Sequence, residues 1–229
     1  MRFSRGDPKR VESVEEIMPF VKGEEAAAFR REGILFVISA PSGTGKSTLC
    51  ENLRRTPDFV FSISCTTRQP RPGEVDGEDY FFLDDRQFFE KVAAGEFLEY
   101  ARVHGCWYGT LRGTAIDALS EGKDVLLDID VQGARNIRSQ EDPRLKSSLV
   151  DVFIMPPTFT ELERRLRKRG TENEKEIARR LERGREEMKA WKEFKYTILS
   201  GSVEEDLTKF RAIMRAERYL SRRLTLYGE

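Results

Sequence analysis

An apolar run, Ile34-Leu35-Phe36-Val37-Ile38, leads into Ala40-Pro41-Ser42-Gly43-Thr44-Gly45-Lys46-Ser47. Next comes Thr48-Leu49-Cys50-Glu51-Asn52-Leu53, which reads as a helix. Few folds accommodate a strand, a glycine-rich turn closed by Gly-Lys-Ser and a helix in that order, and the arrangement is the setting of a phosphate-binding loop. Gly43 and Gly45 can take backbone angles closed to other residues, so successive N–H groups can point into one hollow. A helix beginning at Lys46 adds the positive end of its dipole to that hollow. From there the Lys46 ammonium reaches the β and γ phosphates of a nucleoside triphosphate, and the Ser47 hydroxyl can ligate Mg²⁺. The candidate triphosphate-binding residues are therefore Ala40, Pro41, Ser42, Gly43, Thr44, Gly45, Lys46, Ser47 and Thr48, with Ala40 standing where the motif usually has its first glycine.

Length and charge narrow the remaining choices. A chain of 229 residues suits one domain of two or three layers, or a core with inserted subdomains. Forty lysines and arginines balance forty aspartates and glutamates, so no overall field favours nucleic acid. No stretch approaches the roughly 18 consecutive apolar residues of a membrane span, and the basic N-terminus lacks an apolar secretory core. A soluble, cytoplasmic protein is expected. Cys50, Cys65 and Cys106 show neither paired nor zinc-type spacing and read as free thiols. The single histidine, His104, sits before Gly105 at a hairpin turn and reads as structural. The pattern carries no signal for an oligomeric state.

From Ile34 onward strands and helices alternate. Strands are predicted at 34–39, 59–65, 124–129, 149–155 and 196–200, and helices at 46–55, 112–121, 131–138, 158–169, 172–192 and 203–223. Thr158…Glu161, Thr171…Glu174 and Ser202…Glu205 have the spacing of capping boxes. Ile177, Leu181, Met188 and Trp191 form one apolar stripe on the fifth helix. Strands as apolar as Val125-Leu126-Leu127 and Val150-Asp151-Val152-Phe153-Ile154 have no wet face, so a mainly parallel sheet covered on both sides is expected. Its ligands belong beyond the strands' carboxyl ends, where the loop at 40–47 lies. Residues 66–110 break the rhythm with short strands at 80–83 and 97–103 and a helix near 85–93, as an inserted antiparallel subdomain would. Residues 1–32 carry only a weak helical pattern through Val14, Ile17, Met18 and Val21.

The insert offers a second phosphate site. In Thr66-Thr67-Arg68-Gln69-Pro70-Arg71-Pro72-Gly73-Glu74 a proline stiffens the backbone between two arginines, whose planar forks suit phosphate. Taken alone the segment also reads as a solvated loop. Tyr80 and Tyr108 are neutral hydroxyl donors for the same oxygens. Ser64, Glu99 and Thr110 each stand beside a strand end or turn. A carboxylate such as Glu99 accepts two parallel N–H bonds, the pattern that guanine presents and adenine does not.

These segments together resemble guanylate kinases. The resemblance rests on Ser39 to Ser47, Ser64 to Glu74, Asp79-Tyr80-Phe81-Phe82, Phe97-Leu98-Glu99-Tyr100, Trp107-Tyr108-Gly109-Thr110 and Leu127-Asp128-Ile129-Asp130-Val131-Gln132-Gly133, in order from about residue 33 onward. It implies a three-layer α/β P-loop core with a mainly parallel sheet, from 33–65, 111–156 and 187–229. An acceptor-binding insert at 66–110 and a helical lid at 157–186 complete the domain, with 1–32 as an extension. It implies ATP and GMP, and dGMP as well, as small-molecule substrates, with Mg²⁺ on Ser47 and on Asp128. It implies that Arg68, Arg71, Tyr80 and Tyr108 hold the GMP phosphate and that Ser64, Glu99 and Thr110 read guanine. Asp128, Asp130 and Gly133 would line the acceptor site, and Arg165, Arg169 and Arg180 would close, with Lys46, over the transferred phosphoryl group. One departure stands out: Ser200-Gly201 occupy the place where the family commonly has Asn-Asp near the donor base. A catalytically silent scaffold with this fold and a kinase for another phosphorylated acceptor are the competing expectations.

Overall fold

The apolar run at 34–38 becomes the middle of a parallel sheet. The computed structural model describes residues 29–103, 105–168 and 174–226. Its strands are β1 (Phe29–Arg31), β2 (Leu35–Ser39), β3 (Val60–Phe61), β4 (Ser64–Thr66), β5 (Phe81–Phe82), β6 (Phe97–Val103), β7 (Cys106–Leu111), β8 (Val125–Asp128), β9 (Leu149–Met155), β10 (Tyr196–Leu199) and β11 (Leu224–Leu226). Its helices are α1 (Lys46–Arg54), α2 (Asp85–Ala93), α3 (Arg112–Ser120), α4 (Val131–Arg138), α5 (Pro143–Ser148), α6 (Phe159–Lys168), α7 (Glu174–Lys189) and α8 (Val203–Arg218).

The five-stranded sheet has the order β10-β9-β2-β8-β3, all parallel, with β2 at its centre. Alternation along β2 sends Leu35 and Val37 to one face, against α3, α4 and α5, and Phe36 and Ile38 to the other, against α1 and α8. All four are fully buried. Because helices cover both faces, the strand has no polar side and reads as a continuous apolar run. Each such side chain contributes about 1.5–3 kcal/mol by leaving water, so the strand that aims the phosphate loop is a rigid base for it. A four-stranded sheet of order β5-β4-β7-β6 carries its own small core of Cys65, Phe88 and Phe97.

Several expectations are corrected. The strand expected at 59–65 is two strands: β3 edges the parallel sheet, and after Ser62 and Ile63 the chain enters the second sheet as β4. The insert is not purely antiparallel, because β5 runs parallel to β4. The excursion from Thr67 to Tyr80 carries the chain back to the end of the sheet where β4 began, so β5 runs in the same direction. Helix α5 was not anticipated, although Asp142 caps it and Pro143 occupies its first position. The C-terminal helix stops at Arg218, and the chain turns back to pair β11 with β1. Phe29–Arg31, placed by sequence in an extension, are therefore strand, and Arg31 is tied to Asp124 at 2.6 Å. Trp191 leaves the expected stripe. Helix α7 ends at Lys189, the following 3-10 turn rotates the chain, and Trp191 is exposed while Ile177 is buried. The helical pattern at Val14–Val21, His104 and the Thr171 cap lie outside the described residues. The other two capping expectations show the side-chain bond, Thr158 Oγ1 accepting from Glu161 N at 3.0 Å and Ser202 Oγ from Glu205 N at 3.2 Å.

Candidate active site

The phosphate loop closes on itself before any ligand is considered. Thr44 Oγ1 donates to the Pro41 carbonyl at 2.8 Å, and Gly45 caps α1 with a left-handed φ of 101°. The first intrahelical bond runs from Leu49 N to Gly45 O, so the N–H groups of Lys46, Ser47 and Thr48 precede the ladder, where an anion can take them. Gly43 combines a φ of 93° with a close neighbour: a Cβ there would lie 2.8 Å from Leu166 of α6. A Cβ at Gly184 on α7 would lie 3.0 Å from Leu162, with Pro41 at an ordinary contact distance of 3.9 Å. Gly43 of the loop thus makes room for Leu166 of α6, and Gly184 of α7 for Leu162 of the same helix.

Lys46 forms an ion pair with Asp128, the last residue of β8, and donates to the Ile129 carbonyl at 3.0 Å. Burial lowers the pKa of the Lys46 ammonium, but the Asp128 charge and hydrogen bond more than offset it, and the net shift is upward. Lysine stays cationic at neutral pH. Ser47 is exposed in the first turn. Among the described residues no three His, Cys, Asp or Glu side chains are grouped to hold a metal ion. Ser47 and Asp128 offer one hydroxyl and one carboxylate, a donor set that fits a Mg²⁺ ion held mainly by phosphates and water.

Asp128 also links the loop to the insert. It lines one cleft with Arg54, Ser62, Ser64, Asp79 and Tyr80. Tyr80 is half-buried, and burial followed by the Asp128 charge raises its phenol pKa, so it remains a neutral donor. Its ring lies edge-on to Tyr108 at 6.0 Å, and the Tyr108 hydroxyl accepts from Arg68 Nε at 3.2 Å. Arg71 is exposed, and its backbone N–H donates to Glu74 at 2.7 Å.

The guanine-reading candidates are adjacent by strand register. Ser64 on β4 faces Thr110 on β7, and Thr110 faces Glu99 on β6, next to a β-bulge. Thr110 Oγ1 donates to Glu99 Oε1 at 2.8 Å. Glu99 is only 6% exposed. Burial pushes its carboxyl pKa up to about 7, with the Thr110 bond pulling it down and the Asp130 charge adding to the rise. Asp130 caps α4, accepting from Gly133 N at 2.9 Å, and lies 3.8 Å from Arg183. A Cβ at Gly133 would stand 2.8 Å from Glu99 Oε2. That oxygen ends a flexible side chain, so Gly133→Ala is expected to keep the fold and displace the carboxylate. The prediction is a thermal midpoint within a few degrees of wild type and a GMP affinity about tenfold weaker, read by calorimetric titration.

Of the three arginines expected to close over the phosphoryl group, Arg165 and Arg180 have different surroundings. Arg180 donates to Ser42 Oγ at 3.3 Å. Arg165 pairs with Glu161 at 2.7 Å and donates to the Thr44 carbonyl at 2.9 Å and to Ser200 Oγ at 2.8 Å, so it lies against the loop's backbone. Arg169 lies outside the described residues. The sequence marks Glu161 only as a capping residue and not as the partner of Arg165, although their spacing of four is a helical signal. Sequence reasoning missed Asp206, which holds Ser200 Oγ at 2.9 Å and Gly201 N at 2.9 Å. Nothing in the sequence around Glu74 marks its bond to the Arg71 N–H.

The family model for guanylate kinase matches residues 32–217. The chain belongs to the guanylate kinase family. It is 45% identical over 188 residues to the guanylate kinase of Thermotoga maritima, spanning 82% of this chain and 88% of that protein. The guanylate kinase of Sphingopyxis alaskensis is 44% identical over 200 residues, 87% of this chain and 89% of the other. Among solved structures, guanylate kinase from Anaplasma phagocytophilum superposes with a TM-score of 0.69 at 32% identity, covering 87% of this chain and 93% of that one. The β1–β11 ribbon lies outside the span that the family model matches.

Proposed function

We propose that this chain transfers the γ-phosphoryl group of ATP to GMP, reversibly, giving ADP and GDP, and that it accepts dGMP. The observation that carries the reading is the buried Glu99 carboxylate, hydrogen-bonded by Thr110 and packed on Gly133, which Asp130 caps two residues beyond the Asp128 that pairs with Lys46. Ionised, it accepts from guanine N1–H and the 2-amino group, with Ser64 and Thr110 beside it. Arg68, Arg71, Tyr80 and Tyr108 take the acceptor's phosphate, and residues Ala40 to Thr48 take the donor's.

No strong general base is required. The attacking phosphate oxygen has a second pKa of about 6 and is already anionic at neutral pH. The task is to align two anions that repel each other and to neutralise their charge. Mg²⁺, held by Ser47 and Asp128 with the phosphates, would supply neutralisation at the β and γ oxygens. Lys46 exchanges Asp128 for those oxygens, and Arg180, with Arg169 and Arg165, closes over the donor and keeps water out. The free thiols Cys50, Cys65 and Cys106 suit a reducing cytoplasm. No helix among the described residues is long and apolar enough to cross a membrane.

The test is ADP release with Mg²⁺-ATP and, separately, GMP, dGMP, AMP, UMP and CMP. Turnover confined to the guanine nucleotides is expected. ATP binding without turnover on any of them would replace this reading with that of a silent scaffold or another acceptor.

A pH dependence follows from Glu99. Only its ionised form matches two guanine donors, and its pKa of about 7 means that ionisation falls from nearly complete to about a tenth between pH 8 and pH 6. The Kd for GMP should therefore rise about tenfold over that interval. Glu99→Gln should flatten the profile, leaving only the shallow titration of the nucleotide's own phosphate. A wild-type curve as flat as that of the variant would refute the assignment.

A further inference from the structure

We propose that Glu74 is a positioning residue that sets the Arg68 guanidinium so that a single edge of it is left for the acceptor phosphate. The proposal rests on the acceptor-site reading above and adds the residue that orients its principal cation.

A guanidinium carries five N–H donors arranged as an end fork, shared by its two terminal nitrogens, and a side fork shared by Nε and Nη2. On Arg68 the end fork is closed by Glu74, with Nη1 to Oε2 at 3.0 Å and Nη2 to Oε1 at 2.9 Å. The other Nη1 hydrogen goes to the Gln69 carbonyl at 2.8 Å. What remains is the side fork, and it points at the Tyr108 hydroxyl, which Nε reaches at 3.2 Å. The flat face is held too, because the guanidinium carbon lies 5.4 Å from the Tyr80 ring centre and 5.8 Å from that of Phe82. The edge that is left therefore carries the Nε and Nη2 N–H groups beside the Tyr108 hydroxyl, with the Tyr80 ring against the flat face.

Glu74 is itself fixed. Its Oε2 also accepts from Arg71 N at 2.7 Å, its own N–H closes a turn onto the Arg71 carbonyl at 3.0 Å, and Gly73 supplies the left-handed residue of that turn with a φ of 90°. Arg68 and Glu74 are both mostly shielded, with side chains 16% and 19% exposed. A flexible arginine that must be ordered by its ligand binds more weakly than one ordered beforehand. Against this, a carboxylate beside a phosphate site repels the phosphate. The two effects have opposite signs, so removing the charge decides between them.

The experiment measures Kd for GMP and for guanosine by calorimetry in wild type, Glu74→Gln, Arg68→Ala and the double variant, with Glu74→Ala as a second truncation. Preorganisation predicts that Glu74→Gln weakens GMP about tenfold and leaves guanosine unchanged. In the Arg68→Ala background the same change should add less than twofold, since Glu74 then has no guanidinium to orient. Tighter GMP binding by Glu74→Gln overturns the proposal in favour of simple repulsion. An equal loss in both backgrounds, or a parallel loss of guanosine, overturns it in favour of a general role in loop folding. If Arg68→Ala alone leaves GMP affinity intact, the acceptor-site reading itself fails, and that result is separate from the other three.

Discussion

Lys46→Ala is expected to lower the turnover of GMP phosphorylation by on the order of a thousandfold while leaving the affinity for GMP within about twofold. Lys46 sits at the first helical position after a left-handed Gly45, so its backbone stays in place when its side chain is removed. The loss falls on charge stabilisation between the β and γ phosphates, which intensifies as the phosphoryl group leaves the donor. Truncation also strands Asp128, but that carboxylate is partly exposed, with 28% of its side chain accessible, and water can solvate it. The fold should therefore survive, and circular dichroism together with single-turnover rates checks both halves of the claim. A variant that keeps more than a tenth of wild-type turnover would mean that the loop binds phosphate without taking part in the transfer.

Glu99→Ala is expected to act on selectivity. A site built to pair two guanine donors loses on the order of a thousandfold in kcat/KM for GMP when the carboxylate goes, while AMP, which never used it, changes little. Stability moves the other way. The folded carboxyl has a pKa of about 7 against 4.5 unfolded, because burial penalises the charged form. Such a group contributes most to stability below pH 4.5, and the contribution is lost as pH rises through 7. Above pH 7 wild type therefore carries a cost of up to about 3 kcal/mol that Glu99→Gln lacks. The neutral variant should melt several degrees higher at pH 8 and similarly to wild type near pH 4. Retention of full GMP preference over AMP in Glu99→Ala would show that another group reads the base.

Much of this site was legible in the chain because its signals are short in sequence. The loop from Ala40 to Ser47 is contiguous, and its chemistry follows from residue types alone. Glu99 could be matched to guanine by donor and acceptor logic without knowing its neighbours. The Arg68–Glu74 fork was not legible, since a spacing of six across an irregular turn has no periodicity to betray it. Nor did anything local mark the pairing of Phe29–Arg31 with Leu224–Leu226, which joins opposite ends of the described chain. The run at 59–65 is continuous in character, and only the meeting of two sheets at Ser62-Ile63 divides it. Ser200 was noticed as a departure, yet its service to Arg165 and the Thr44 carbonyl emerges only from the packing of α6 on the loop.

Gly184 lies on a helix face that presses on Pro41 through the space beside Leu162. A substitution there would require Leu162 to give by a few tenths of an ångström, and where it could not, the variant would resemble, in any survey of inactive variants, the loss of a substrate ligand. Intolerance at this position would measure how closely α6, α7 and the loop fit together, and chemistry has no share in it.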